Sequence, residues 1–152
     1  MQEVVFKALT NGVYIVTVNA NGEINGVTTP WVTQLSYEPQ LVMVAIAPVR
    51  KCHEMITNSG QFAVNVLGRN QVELASKFGF TSGRELNKFE GIAAQQTPAA
   101  NPLLLDTFAY IDCELVETLT VGDHSLFIGK VVGAELLDPG GSPLIFNPDD
   151  YF

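Results

Sequence analysis

The sequence predicts a mainly β fold: antiparallel strands forming a β-barrel, with short helices attached. Six short segments are rich in β-branched residues, and Gly, Pro or Asn punctuates most of their ends, the usual signature of strands and their turns. Only two helical patterns separate them. The strands therefore do not alternate with crossover helices, and a doubly wound parallel sheet is not supported.

The first strand is Val13–Val18, "VYIVTV", and "ANGE" at Ala20–Glu23 is a tight-turn sequence that folds it onto a second, Ile24–Thr33. That second strand contains Pro30, which cannot donate to a ladder, followed by the only tryptophan, Trp31. A proline there marks an edge or a bulge. Leu41–Ile46, "LVMVAI", has the apolar run of either a buried helix or a strand. Its length, between Pro39 and Pro48, decides for strand. Phe62–Leu67, Ala109–Leu119 and Leu126–Leu137 complete the set.

One helix is expected from about Arg50 to Asn58, stopping at Gly60, a usual left-handed terminator. A second opens at Asn70 with Glu73 three residues on and ends near Phe78, before Gly79. Phe80–Pro102 reads as a long polar loop, and loops of that length are functional or mobile. No repeat or linker divides the chain, so residues 1–152 are expected to form one domain.

Charged residues make up 16% of the 152, against roughly 25% in ordinary soluble domains, while apolar residues make up 47%. A chain this size can bury roughly 68–70% of its unfolded surface. So low a charge content favours an oligomer that hides part of the remainder. The net charge of −8 argues against nucleic acid and anionic membranes as partners. "MQEVVFKALTNG" has no cationic signal-peptide start, and no apolar run approaches a membrane span of roughly 18 residues. Cys52 and Cys113 are isolated, which suits a reducing compartment, and the cytoplasm is the expected location.

Four of the eight cations fall in two segments, Arg50 with Lys51 and Arg84 with Lys88. The first pair opens the predicted helix, where positive charge opposes the macrodipole and a bound phosphate would explain it. Solvated surface cations are the plain alternative. The second pair lies in "TSGRELNKFEG", Thr81–Gly91, a mixture of hydroxyls, glycine and cations suited to cradling phosphate, or an ordinary polar loop. It lacks the spacing of a nucleoside-triphosphate loop. Cys52, His53 and Glu54 are consecutive and point apart on a helix, so no metal site is expected. No hydrolase motif is present. His124, in "VGDHSLFIGKV", heads a strand after a Gly-Asp turn, where an imidazole can donate, act as an acid, or simply be exposed.

In order along the chain, "NGVYIVTV…INGVTTPWVTQLSYEPQLVMVAI", "HEMITNSGQFAVNVLGRNQVELASKFG", "SGRELNKFEG", "GDHSLFIGKVV" and "PLIF" resemble the flavin reductase-like family of FMN-binding split β-barrels. The resemblance runs from about Asn11 to Phe146. It implies a six-stranded antiparallel Greek-key split barrel with helical excursions, a homodimer, and FMN near the subunit interface. Carried over residue by residue, it sets Thr28, Thr29, Pro30, Trp31, Val32 and Thr33 beside the isoalloxazine and ribityl chain. Ala47, Arg50, Lys51, Cys52 and His53 would hold the phosphate end. Relatives carry Asn and Thr where this chain has Ala47 and Cys52, which leaves Arg50 and Lys51 as the replacement contacts. Ser82, Arg84, Lys88 and Phe89 would close over the flavin or its phosphate, and His124 would lie where reduced nicotinamide approaches.

The implied activity is hydride transfer from NADH or NADPH to FMN, the protein binding and tuning the flavin. With no GxGxxG, the nicotinamide would lie in a groove outside any Rossmann fold. A different class of function would be a tightly loaded electron carrier docking through its acidic surface to a protein redox partner. A barrel without any cofactor is the third.

Overall fold

The computed structural model describes residues 2–80, 82–84 and 86–150. Thr81 and Glu85 of the Thr81–Gly91 segment lie outside the described residues. A short helix α1 (Gln2–Phe6) precedes β1 (Tyr14–Ala20) and β2 (Glu23–Thr29). These two pair antiparallel through the expected turn, with Asn21 and Gly22 both at positive φ, 55° and 94°. That is the backbone of a twisted two-residue hairpin turn, and Asn-Gly is the sequence that adopts it most readily.

The expected Ile24–Thr33 strand is two strands. β2 ends at Thr29, and β3 (Val32–Ser36) begins after Pro30 and Trp31. The remaining elements are β4 (Leu41–Ile46), α2 (Lys51–Ser59), β5 (Gln61–Val66), α3 (Val72–Phe80), a small hairpin of β6 (Ala94–Gln96) and β7 (Pro102–Leu104), then β8 (Ala109–Val121) and β9 (His124–Leu136). The expected polar loop is thus partly ordered. Asn65 accepts from Leu104 N–H and donates to Pro102 O, while Asp112 accepts from Thr97 Oγ1 at 2.6 Å.

Seven strands form one sheet in the order β2-β1-β5-β8-β9-β4-β3. Its two edge strands, β2 and β3, are neighbours in the chain, separated only by Pro30–Trp31. The sheet must therefore curl until its edges meet at that corner. They meet through few bonds: Ala45 N–H donates to Trp31 O at 3.0 Å, and Thr29 Oγ1 to Ala45 O at 3.3 Å. Past the corner no ladder joins β2 to β4. The result is a split barrel with a seam beside Pro30, one strand more than the six expected in its main sheet.

One core cluster joins Val16, Val18, Val44, Ile46, Phe62, Val64 and Phe127 of the sheet to Cys52, Met55 and Ile56 of α2. α2 stops as expected at Gly60, φ 71°, whose N–H bonds Ile56 O at 2.8 Å. A second cluster packs Ala75 and Phe78 of α3 against Ile15, Phe89 and Leu104. α3 runs past the expected stop at Gly79. That glycine faces β2, and a Cβ there would make only an ordinary contact with Thr28 Cβ, at 3.4 Å. No helix among the described residues is long and apolar enough to cross a membrane.

Candidate functional site

Beside the seam lies a largely apolar cleft of about 570 Å³, within the usual range for small-molecule sites. Its floor comes from the corner, Val27–Trp31, and from Ala45, Ile46 and Ala47 at the end of β4. Val49 and Arg50 line it at the start of α2, Ala75, Gly79 and Phe80 on α3, and His124 and Phe146 at its mouth.

The backbone is part of the site. β2 is an edge strand, so half of its N–H and C=O groups have no ladder partner. Gly26 directs its groups to that free edge: its N–H bonds Asn25 Oδ1 and its C=O accepts from Lys88 Nζ. Backbone direction alternates along a strand, so Thr28, two residues on, presents its N–H and C=O the same way. Pro30 ends the run without a donor. A ligand with a hydrogen-bonding edge can pair there as an added strand would.

The α2 end of the cleft suits an anion. Arg50, the N-cap, has extended φ/ψ and no side-chain oxygen to cap the helix, so the first amides of α2 are uncapped by any side chain. Among the described residues Arg50 makes no ion pair, whereas Lys51 is paired with Glu23 and Arg84 with Glu54 at 3.1 Å. Of the cations in the two segments, Arg50 is the one placed both in the cleft and free of a carboxylate.

At the mouth, Trp31 and His124 meet edge to face, ring centroids 4.8 Å apart. His124 Nδ1 and Asp123 Oδ1 are hydrogen-bonded at 2.7 Å, and this bond lowers the Asp123 carboxyl below its ordinary value. The imidazole orientation is thereby set, with Trp31 on one side and the carboxylate behind.

Thr28, Thr29, Pro30, Trp31, Ala47, Arg50 and His124 therefore come together in one cleft. The other expected contacts do not line it. Val32 and Thr33 lie beyond the corner, on β3, and border a different groove. Cys52 is a core residue 1% exposed, its thiol pushed up to about 12 by burial, so only its backbone amide faces the helix start. His53 turns away to Ser125 Oγ, 2.8 Å from Nε2, and rests on Phe127. Burial there holds it below its ordinary value against the opposing pull of Glu54. Phe89 is core, edge to face with Phe78. Arg84 and Lys88 line a separate polar pocket of about 440 Å³, with Asn25 and Asn87, and Ser82 turns its Oγ to Arg84 N–H.

Among the cleft residues that sequence reading missed are Ala75, Gly79, Phe80 and Phe146. The first two had a legible signal, small residues four apart on one helix face. Phe146 had none, because it reaches the cleft through isolated pairings of its segment with Gly12 and Gly68. Among the described residues no cluster of three or more His, Cys, Asp or Glu side chains could hold a metal ion.

Comparison with known proteins gives a consistent result. The chain is 37% identical over 134 residues to the high molecular weight rubredoxin of Moorella thermoacetica, an alignment covering 87% of this chain but only 58% of that protein. It is 31% identical over 147 residues to the NADH-dependent FMN reductase AsuE2 of Streptomyces nodosus subsp. asukaensis, covering 94% of this chain and 78% of that one. Among solved structures, the NADH:FAD oxidoreductase SgcE6 of Streptomyces globisporus C-1027 superposes with a TM-score of 0.89 at 26% identity, covering 96% of this chain and 86% of the other. The family described as flavin reductase like domain matches residues 6–152. With the fold, the seam and the near full-length match in agreement, the chain belongs to the flavin reductase-like family.

Proposed function

We propose that the chain, acting as a single domain, binds FMN in the seam cleft and catalyses its reduction by NADH or NADPH. The observation that carries this reading is the cleft itself: an apolar slot bounded by the edge-facing backbone of Thr28 at one side and by a side-chain-uncapped helix start with unpaired Arg50 at its end. That order of surfaces matches a flat ring with a polar edge and a phosphate tail. The flavin supplies the hydride-accepting centre when bound.

The residues supply everything else. Thr28 backbone groups meet the polar rim of the ring, and the small side chains Ala45, Ala47, Ala75 and Gly79 leave room for it to lie flat. Arg50 and the first amides of α2 hold the phosphate. Trp31 and His124 border the side where reduced nicotinamide approaches, the imidazole offering a hydrogen bond to it.

The test is His124→Ala. It is expected to lower kcat/KM for NAD(P)H by roughly threefold to tenfold, the value of one hydrogen bond, with FMN affinity little changed. Unchanged kinetics per folded molecule with a lowered melting temperature would make His124 structural instead.

The assembly expected is a homodimer. The groove of about 460 Å³ past the corner is lined by apolar residues including Val32, Val42, Val66 and Val131, and Tyr37, in the β3–β4 turn, is 84% exposed. A second copy covering that face would account for the low charge content. Light scattering is expected to give twice the 16.5 kDa chain mass, and a monomer mass would refute the dimer. Both cysteines are free, which fits a reducing compartment such as the cytoplasm.

A further inference from the structure

Lys88 is buried, 3% exposed, yet among the described residues no carboxylate pairs with it. A buried charge without a counter-ion is costly unless hydrogen bonds compensate it. Here they come from two main-chain carbonyls: Nζ donates to Gly26 O at 2.8 Å and to Phe78 O at 2.9 Å. Gly26 is on the free edge of β2, two residues from Thr28. Phe78 is in the last turn of α3, one residue from Gly79. Its carbonyl is among those a helix leaves unpaired, at the negative end of the macrodipole, where an ammonium is favoured. The two elements are already close, since a Cβ on Gly26 would lie 3.0 Å from the Phe78 ring, and Thr28 Oγ1 donates to Ala75 O at 2.6 Å.

We propose that Lys88 is a positioning residue: its ammonium ties the last turn of α3 to the free edge of β2 and so fixes the cleft wall made by Thr28, Ala75 and Gly79. It acts on the ligand through that wall and does not touch the phosphate. The inference rests on the flavin reading of the cleft.

The experiment compares FMN with riboflavin, which lacks the phosphate. Both are titrated into wild type and into Lys88→Met, with affinity taken per folded molecule. A brace predicts that the variant loses roughly tenfold for both flavins alike, the worth of its two hydrogen bonds. A loss confined to FMN would mean that Lys88 contacts phosphate, and no loss beyond a lower melting temperature would mean a purely structural role. Either overturns the proposal. Wild type binding neither flavin would remove the flavin reading and this inference with it, a result distinct from any loss seen only in the variant.

Should Lys88→Met fail to fold, wild type supplies the readout through pH. Burial pushes the Lys88 ammonium down to about 8. Raising pH from 7 to 9 therefore removes its charge, and charge-assisted bonds are about twice as strong as neutral ones. The groups around it are Arg50 at the N-cap of α2, Cys52 on α2, Glu23 on β2 and Arg84 on its own segment, while Lys77 on α3 is turned to Glu90 O. The Cys52 thiol stays neutral over this range. Affinity for both flavins is expected to fall about threefold across that interval. Riboflavin affinity independent of pH would overturn the brace.

Discussion

Ala47→Trp is expected to lower flavin affinity by on the order of 100-fold while the protein stays folded. Ala47 lies between β4 and α2, half-buried, and lines the cleft together with Ile46 and Arg50. An indole there fills space the ligand needs. Forcing such bulk against a bound ligand costs about 3 kcal/mol, and each 1.4 kcal/mol is about tenfold in affinity. The same indole points into an open cleft in the free protein, so stability should change by no more than about 0.5 kcal/mol. FMN titration with a parallel melting curve measures both. Wild-type affinity in a folded Ala47→Trp protein would place the flavin elsewhere.

The second large effect is on stability. Phe127 is fully buried on β9, paired across β4 with Val44, and its ring supports His53 with centroids 4.9 Å apart. It thus joins the sheet to the first turn of α2, where Arg50 and the free amides lie. Phe127→Ala is expected to cost about 3–5 kcal/mol from lost burial and the cavity left behind. For a chain of this size that lowers the melting temperature by on the order of 10 °C. Phe127→Leu, which keeps most of the volume, should cost less than about 1.5 kcal/mol. Urea unfolding measures both, and a cost under about 1 kcal/mol for the alanine variant would contradict the packing described.

Local chemistry was legible in the sequence, and so was much of the cleft. The β-branched runs became β1, β4 and β5, Asn21–Gly22 made its turn, Gly60 ended α2, and Pro30 broke the strand it interrupts. Motif order carried Thr28 to Trp31, Ala47, Arg50 and His124 to one place. Longer-range geometry was not legible. Nothing local says that β2 and β3 occupy opposite edges, so Val32 and Thr33 read as cleft residues although the chain has turned the corner before them. Gly79 reads as a helix stop, but α3 continues through it to Phe80. Lys88, a cation in a polar loop, reads as a phosphate ligand. Only the fold brings the carbonyls of Gly26 and Phe78 to its ammonium, 62 and 10 residues away.

The central claim, that this cleft holds a flavin which a reduced nicotinamide can reach, is tested most directly by mixing FMN-loaded protein with NADH or NADPH under anaerobic conditions and following the flavin absorbance near 450 nm. The oxidised-flavin band is expected to disappear at a rate that rises with nucleotide concentration and then saturates. A bound flavin that neither nucleotide bleaches, but dithionite does, would contradict it and make the protein an electron carrier.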